Sequence, residues 1–279
     1  MPPGRRQTLG SPVGMRGIGV HTGRPCRMRL EPAPPGTGTV FVREDLPGSP
    51  AVPALLSAVV SSDRGTTLGL PGGARILTVE HLLAALAGAE IDDVLVLLDG
   101  PELPIGDGSA RPYLDLIGAA GVAGCPGTRE PLAVESAVFW ERGESLLAAF
   151  PGEGLRVAAA VSFPRLPPQY LSLSLDPEVF RDEVAPARTF GMLEEAEALF
   201  ERGLALGSGL ENTVVLDGEV VISKEGLRFP DEFVRHKILD LVGDLALLGR
   251  PLRGTVVALR PGHAHNLALA SKILEADNE

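Results

Sequence analysis

Two periodicities are superimposed in the stretch Asp231-Glu-Phe-Val-Arg-His236-Lys-Ile-Leu-Asp240-Leu-Val-Gly-Asp244-Leu-Ala-Leu-Leu248. At about 100° per residue, Val234, Ile238, Leu241, Val242, Leu245 and Leu248 share one face, which predicts an amphipathic helix over 231–248. On the other side, His236, Asp240 and Asp244 recur every four residues. Side chains at i and i+4 stand one above the other, so His236 and Asp240 can reach one point, as two ligands of a tetrahedral metal do. Taken alone, the same spacing equally describes a His–Asp pair on a wet helix face, with Arg235 and Lys237 as solvent-facing neighbours.

The other histidines also sit in short motifs beside Glu, Gly or a strand end. His81 lies in Thr-Val-Glu-His-Leu-Leu (78–83), on a helix read from 77 to 87, with Thr78 as its cap and Gly88 as its end. Adjacent helical residues point about 100° apart, so Glu80 can stand beside a metal held by His81 without binding it. A carboxylate so placed can take a proton from a metal-bound water. H-E-x-x-H is absent, so a zinc protease is not indicated. Val79, Leu82 and Leu83 surround His81 with apolar residues, so it is either hydrogen-bonded in the core or bound to a ligand. His263 and His265 lie in Gly-His-Ala-His-Asn (262–266), between a strand at 255–259 and a helix starting near 266. Loops at strand ends hold catalytic groups on a rigid base. His263, in the tight link, is a candidate proton donor with Asp244 as its carboxylate partner. The ring positions of 263 and 265 alternate, so one of the two faces the site. His21, in Gly-Ile-Gly-Val-His-Thr-Gly (17–23), is the fifth histidine; His21 and His265 are secondary candidates.

Composition bounds the rest. The chain has 279 residues, 44% hydrophobic but only 4% aromatic, so its core is largely aliphatic. The net charge of −11, with no compensating Lys/Arg run, argues against nucleic acid as a partner. Cys26 and Cys125 have no metal-ligand spacing, which fits a reducing compartment. No apolar stretch follows Arg5 and Arg6, so no signal peptide is expected, and no apolar run approaches the roughly 20 residues of a membrane span. A cytoplasmic globular protein is expected.

Strands are read at 26–30, 40–42 and 94–98, and a second helix at 110–120. The Gly/Pro-rich stretch 121–131 reads as a boundary. Beyond it come strands at 133–140, 145–150 and 156–163, helices at 177–184 and 193–206, and a hairpin over 213–222 turning at Asp217-Gly218. Element order therefore predicts an α+β chain of two similar domains, 1–125 and 126–279, each a β-sheet layer with helices.

Together the motifs resemble the UDP-3-O-acyl-N-acetylglucosamine deacetylase family of lipid A biosynthesis. The stretches that carry the resemblance include 17–23, Arg-Gly-Thr-Thr-Leu-Gly (64–69), Thr-Val-Glu-His-Leu-Leu-Ala-Ala-Leu-Ala-Gly (78–88) and Glu-Leu-Pro-Ile-Gly-Asp-Gly-Ser-Ala (102–110). Ala-Arg-Thr-Phe-Gly (187–191), 227–244 and 262–266 continue them in the family's order over nearly the whole chain. The resemblance implies a zinc ion, one per chain, on His81, His236 and Asp240, with iron(II) able to use the same ligands. It implies Glu80 as general base, His263 as general acid oriented by Asp244, and Thr189 at the oxyanion. It implies Lys237 at the diphosphate and Phe190 against the sugar or acyl chain. It also implies that the helices of the two domains pack face to face. An acyl-chain wall is expected along 193–215, with Leu204, Leu206, Gly207, Gly209 and Leu210. The expected substrate is a UDP-linked acylated amino sugar, turned over by a monomer. The sequence departs from the family pattern at Gly106 and in a shortened, Pro-rich 164–175. Two other functions remain as rivals: a zinc amidase for another N-acyl substrate, which would keep the metal set without the apolar channel or Lys237, and a silent sugar-nucleotide-binding homologue, which would lack a working base or acid.

Overall fold

The computed structural model describes residues 4–163 and 166–277. Positions 1–3 and 278–279, at the ends of the two expected domains, and 164–165 of the Pro-rich stretch lie outside the described residues. The first part of the chain runs β1 (Gly4–Leu9), β2 (Val13–Ile18), β3 (Pro25–Pro32), β4 (Thr39–Arg43), β5 (Ala51–Pro53), β6 (Val59–Ser61), β7 (Thr67–Gly69) and β8 (Arg75–Ile76). Helix α1 (Glu80–Gly88), β9 (Val94–Leu98), α2 (Arg111–Ala120) and β10 (Val122–Arg129) follow. The second part runs β11 (Leu132–Ala133), β12 (Val138–Arg142), β13 (Ser145–Phe150), β14 (Leu155–Val161), β15 (Gln169–Leu175), α3 (Pro177–Val179) and β16 (Phe190–Met192). It closes with α4 (Ala196–Glu201), β17 (Val214–Asp217), β18 (Val220–Ile222), α5 (Glu232–Leu245), β19 (Leu252–Leu259) and α6 (His263–Asp277).

The two main sheets have one topology. Their orders are β2-β3-β9-β4-β5 and β12-β13-β19-β14-β15. In each, the last strand made enters the middle, antiparallel to the second strand and parallel to the third. In each, a long helix (α1, α5) leads into that central strand and another (α2, α6) follows it, and a small three-stranded sheet lies ahead of the leading helix. The duplication expected from element order is thus present in the strand order, and the fold is α+β with two sheet-and-helix layers.

Strand patterning explains which faces meet. Val94, Val96 and Leu98 of β9 and Leu252, Gly254, Val256 and Ala258 of β19 face inward, while the residues that alternate between them are half-buried. Helix α1 is buried from Glu80 through Leu86 because it is packed on both sides, one of them by α5. A Cβ at Gly243 of α5 would overlap the Glu80 carbonyl of α1, so only glycine permits this helix crossing.

Several elements differ from the sequence reading. Helix α1 starts at Glu80, not at 77. Thr78 does not cap it; its backbone is left-handed (φ 58°) and its hydroxyl donates to Glu102 at 2.9 Å. The stretch 121–131 is largely strand β10, paired with β1, and Pro126 sits where the ladder is irregular opposite Arg6. Strand 133–140 is broken into β11 and β12. Helix 193–206 shortens to a 3-10 turn, Leu193–Glu195, and α4, because Gly203 and Ala205 turn left-handed. The Pro-rich segment hides β15, whose Tyr170-Leu-Ser-Leu-Ser-Leu alternation pairs along β14. The 213–222 hairpin turns through Gly218-Glu219, since Asp217 pairs with Val220. His263 is the first residue of α6 rather than part of the link.

Candidate active site

Where α1 crosses α5, three buried side chains from the two layers converge. His81 comes from the first turn of α1; His236 and Asp240 come from successive turns of α5. One ligand atom from each lies within 4.8 Å of the others. Asp240 Oδ1 sits 3.6 Å from His81 Nε2 and 3.4 Å from His236 Nε2. His236 Nδ1 donates to the Ala187 carbonyl at 3.1 Å, which leaves Nε2 with its lone pair toward Asp240. Asp240 Oδ1 and His81 Nδ1 are buried with no hydrogen-bond partner. A buried carboxylate oxygen facing two imidazole nitrogens without a hydrogen bond to either fits a cation between them. The donor set of two imidazoles and one carboxylate is that of a catalytic zinc with one open position.

The charges around the cluster follow from burial and neighbours. Burial, helped by His81 and Lys237 and opposed by Asp240, lowers His236 to about 3, so its ring stays neutral and can ligate. Burial would raise Asp240, but His236, Lys237 and His263 outweigh it and hold the carboxyl well below the usual range. Burial pushes Glu80 up even though His263 and His81 stand near it, which makes it a better proton acceptor than a surface glutamate. Burial would also lower His263; Asp244, Asp240 and Glu80 reverse that and bring it to about 10, so it is a charged proton donor.

Glu80 and His263 flank the cluster. Glu80 Oε2 accepts from the Thr66 N–H at 2.9 Å, and its Oε1 lies 3.9 Å from His263 Nε2. His263 Nε2 is also 3.9 Å from Asp240 Oδ2. On its far side, His263 Nδ1 donates to Asp244 Oδ2 at 3.0 Å. The fully buried Asp244 also accepts from Thr66 Oγ1 at 2.5 Å and Asn266 Nδ2 at 2.9 Å. Sequence reasoning assigned no role to Thr66 or Asn266. Both lie in quoted motifs, but only the fold brings them to Asp244 from 178 and 22 residues away.

The remaining candidates divide. A cavity of about 540 Å³ opens over the cluster, and Thr189, Phe190, Lys237 and Gly209 line it, as do His21 and His265. Lys237 Nζ lies 2.7 Å from Asp240 Oδ2 and 5.3 Å over the Phe190 ring. Phe190 meets His236 and Phe233 edge-on. Thr189 is fixed by its N–H to Gly108 at 2.8 Å and its carbonyl to Val214 at 2.9 Å. His21 bridges two loops: Nε2 donates to the Arg64 carbonyl at 3.1 Å and Nδ1 accepts from the Ala205 N–H at 3.4 Å. Leu204 and Gly207 lie outside the cavity lining, because the chain has left α4 and Gly207 packs against Gly19 and Gly23. The apolar end is formed by Leu193, Leu199, Phe200, Leu210 and Val215, all within the expected 193–215 wall, together with Met192.

Residues 6–275 match the family model described as UDP-3-O-acyl N-acetylglycosamine deacetylase. The chain belongs to that family. It is similar to the UDP-3-O-acyl-N-acetylglucosamine deacetylases of Chlamydia abortus, at 45% identity over 97% of both chains, and of Myxococcus xanthus, at 44% over 96% of this chain and 86% of that one. The relative from Bdellovibrio bacteriovorus is 41% identical over 97% of this chain and 90% of its own length. Among the described residues no helix is long and apolar enough to cross a membrane. Cys26 and Cys125 are buried and free, and burial pushes the Cys26 thiol up to about 12.

Proposed function

We propose that the chain hydrolyses the N-acetyl group of UDP-3-O-acyl-N-acetylglucosamine, giving UDP-3-O-acyl-glucosamine and acetate, the committed step of lipid A biosynthesis. The observation that carries this reading is the buried His81–His236–Asp240 set with a glutamate and a charged histidine beside it. In this reading His81, His236 and Asp240 hold one zinc ion, or iron(II), which when bound polarises the amide carbonyl and lowers the pKa of water to roughly 7.

The other roles belong to the chain's own residues. Glu80, raised by burial, accepts the proton of the attacking water. Thr189, at the cavity wall, donates toward the carbonyl oxygen as it gains charge. His263 gives its proton to the departing sugar nitrogen, and Asp244 holds the ring in the orientation for that transfer. Lys237 sits where a diphosphate oxygen can replace the Asp240 contact, and Phe190 packs on the sugar or the start of the acyl chain. The apolar end between α4 and β17 takes the acyl chain. The site is complete within one chain, which supports a monomer, and the free thiols fit the cytoplasm. We place the division between the domains at the exit of β10, a few residues past 125/126.

Acetate release from UDP-3-O-acyl-N-acetylglucosamine, measured beside UDP-N-acetylglucosamine without the acyl chain, tests the proposal. A strong preference for the acylated substrate is expected. Equal rates would turn the reading toward a general N-acyl amidase, and no release toward a silent binder. Elemental analysis of the purified protein identifies the metal.

A further inference from the structure

The sole tryptophan of the chain stands beside the active site with no role in the chemistry above. Trp140, on β12, is half-buried and packs its ring on that of His265, with centroids 4.8 Å apart and planes 32° from parallel. His265 also donates through Nδ1 to the Arg260 carbonyl at 3.4 Å. Between β19 and α6 the chain reverses in Arg260-Pro261-Gly262, with Arg260 left-handed at φ 50°. The turn that presents His263 therefore emerges from a short, strained link and needs support from outside.

That support comes from two sides. Asp244 holds His263 and Asn266 from α5. Trp140 holds His265 from the sheet, on which α6 packs. We propose that Trp140 and His265 form a brace that fixes the first turn of α6 and so sets the reach of His263 to the leaving group. Both are positioning residues. Without the indole, the turn can pivot about its Asp244 anchor. His263 Nε2, now 3.9 Å from both Glu80 and Asp240, then moves off the line of proton transfer. Misplacement by about 1 Å costs up to 10²-fold in rate. The brace rests on the reading of His263 as proton donor.

The test uses the metal-loaded protein and five variants: Trp140→Ala, Trp140→Phe, His265→Ala, the double variant Trp140→Ala/His265→Ala, and His263→Ala. Trp140→Ala is expected to lower kcat about tenfold with KM and metal content unchanged, and Trp140→Phe to restore most of the rate. His265→Ala should match Trp140→Ala, and the double variant should be no slower than either, the signature of one shared contact. As Trp140 is the only tryptophan, its fluorescence reads the stack directly, and His265→Ala should change the emission intensity. Unchanged emission, or effects of the two variants that multiply, overturns the brace. So does a fast Trp140→Ala beside a slow His263→Ala. A fast His263→Ala instead overturns the proton-donor reading, and with it any kinetic meaning of the brace.

Discussion

Asp244 Oδ2 lies 3.0 Å from His263 Nδ1, and the same carboxylate is held by Thr66 and Asn266. The acceptor that orients the imidazole is thus itself immobile, on the inner face of α5. Replacing one oxygen by an amide puts a donor against donors. Asp244→Asn is expected to lower kcat on the order of 10²-fold, as a misdirected general acid does, and to leave metal content at the wild-type level. Steady-state rates and elemental analysis on the same preparation check both halves.

Metal binding and proton transfer should separate cleanly by residue. Asp240→Ala removes a ligand and should lose metal and activity together. Glu80→Gln keeps the three ligands and should retain the metal while the rate falls roughly 10²–10⁴-fold. Removing the metal with a chelator should abolish acetate release from the wild type, and adding zinc should restore it. Retained activity after complete removal, verified by elemental analysis, would contradict the assignment.

Gly243 is where the helix crossing is tightest. Gly243→Ala must push α5 away from the Glu80 backbone, at a cost of about 1–3 kcal/mol or more from overpacking. Because Glu80 and His81 ride on that turn of α1, the variant should lose both melting temperature and metal affinity. Calorimetry and metal titration read the two effects.

At the edge of the first layer, Asp93 is fully buried and accepts from Arg6 Nε and Nη2 at 2.8 and 2.7 Å and from the Gly38 N–H at 2.8 Å. Burial works against its charge, but Arg6 and Gly38 outweigh it and hold the carboxyl below the usual range. A lowered folded pKa gives stability that is full above the unfolded value of about 3.9 and is lost as pH falls below it through the folded value. Asp93→Asn should cost roughly 2–3 kcal/mol at pH 7, the scale of hydrogen bonds to a charged group. Its melting temperature should fall less steeply than the wild type's between pH 4 and 2. Parallel melting curves over that range would exclude this clasp.

Much of this was readable before any coordinates. The i, i+4 register of His236 and Asp240 survives because α-helical spacing is local. The strands were only partly legible. Strand β1 carries Arg5 and Arg6, and β10 carries Cys125-Pro126-Gly127, so neither advertises itself; each exists because the other completes its ladder. The parts that Thr66 and Asn266 play in holding Asp244 were invisible for a related reason. Their roles depend on which loop the fold sets beside which helix, and neither residue type nor period records that. The expected wall residues Leu204 and Gly207 were misplaced by one left-handed turn around Ala205, where propensity for a longer helix lost to tertiary contacts.

The donor set is divided between the layers: α1 contributes His81, and α5 contributes His236 and Asp240. Among the described residues neither half owns a chelating site, so a cation bound there would act as a rivet between the two sheet-and-helix units. At a hundredfold excess over its dissociation constant, such a ligand resists the separation of the halves by about 2.7 kcal/mol. A chain whose halves fail to dock is then inert as well as unstable, and the chemistry becomes available only once the duplicated units have closed upon each other.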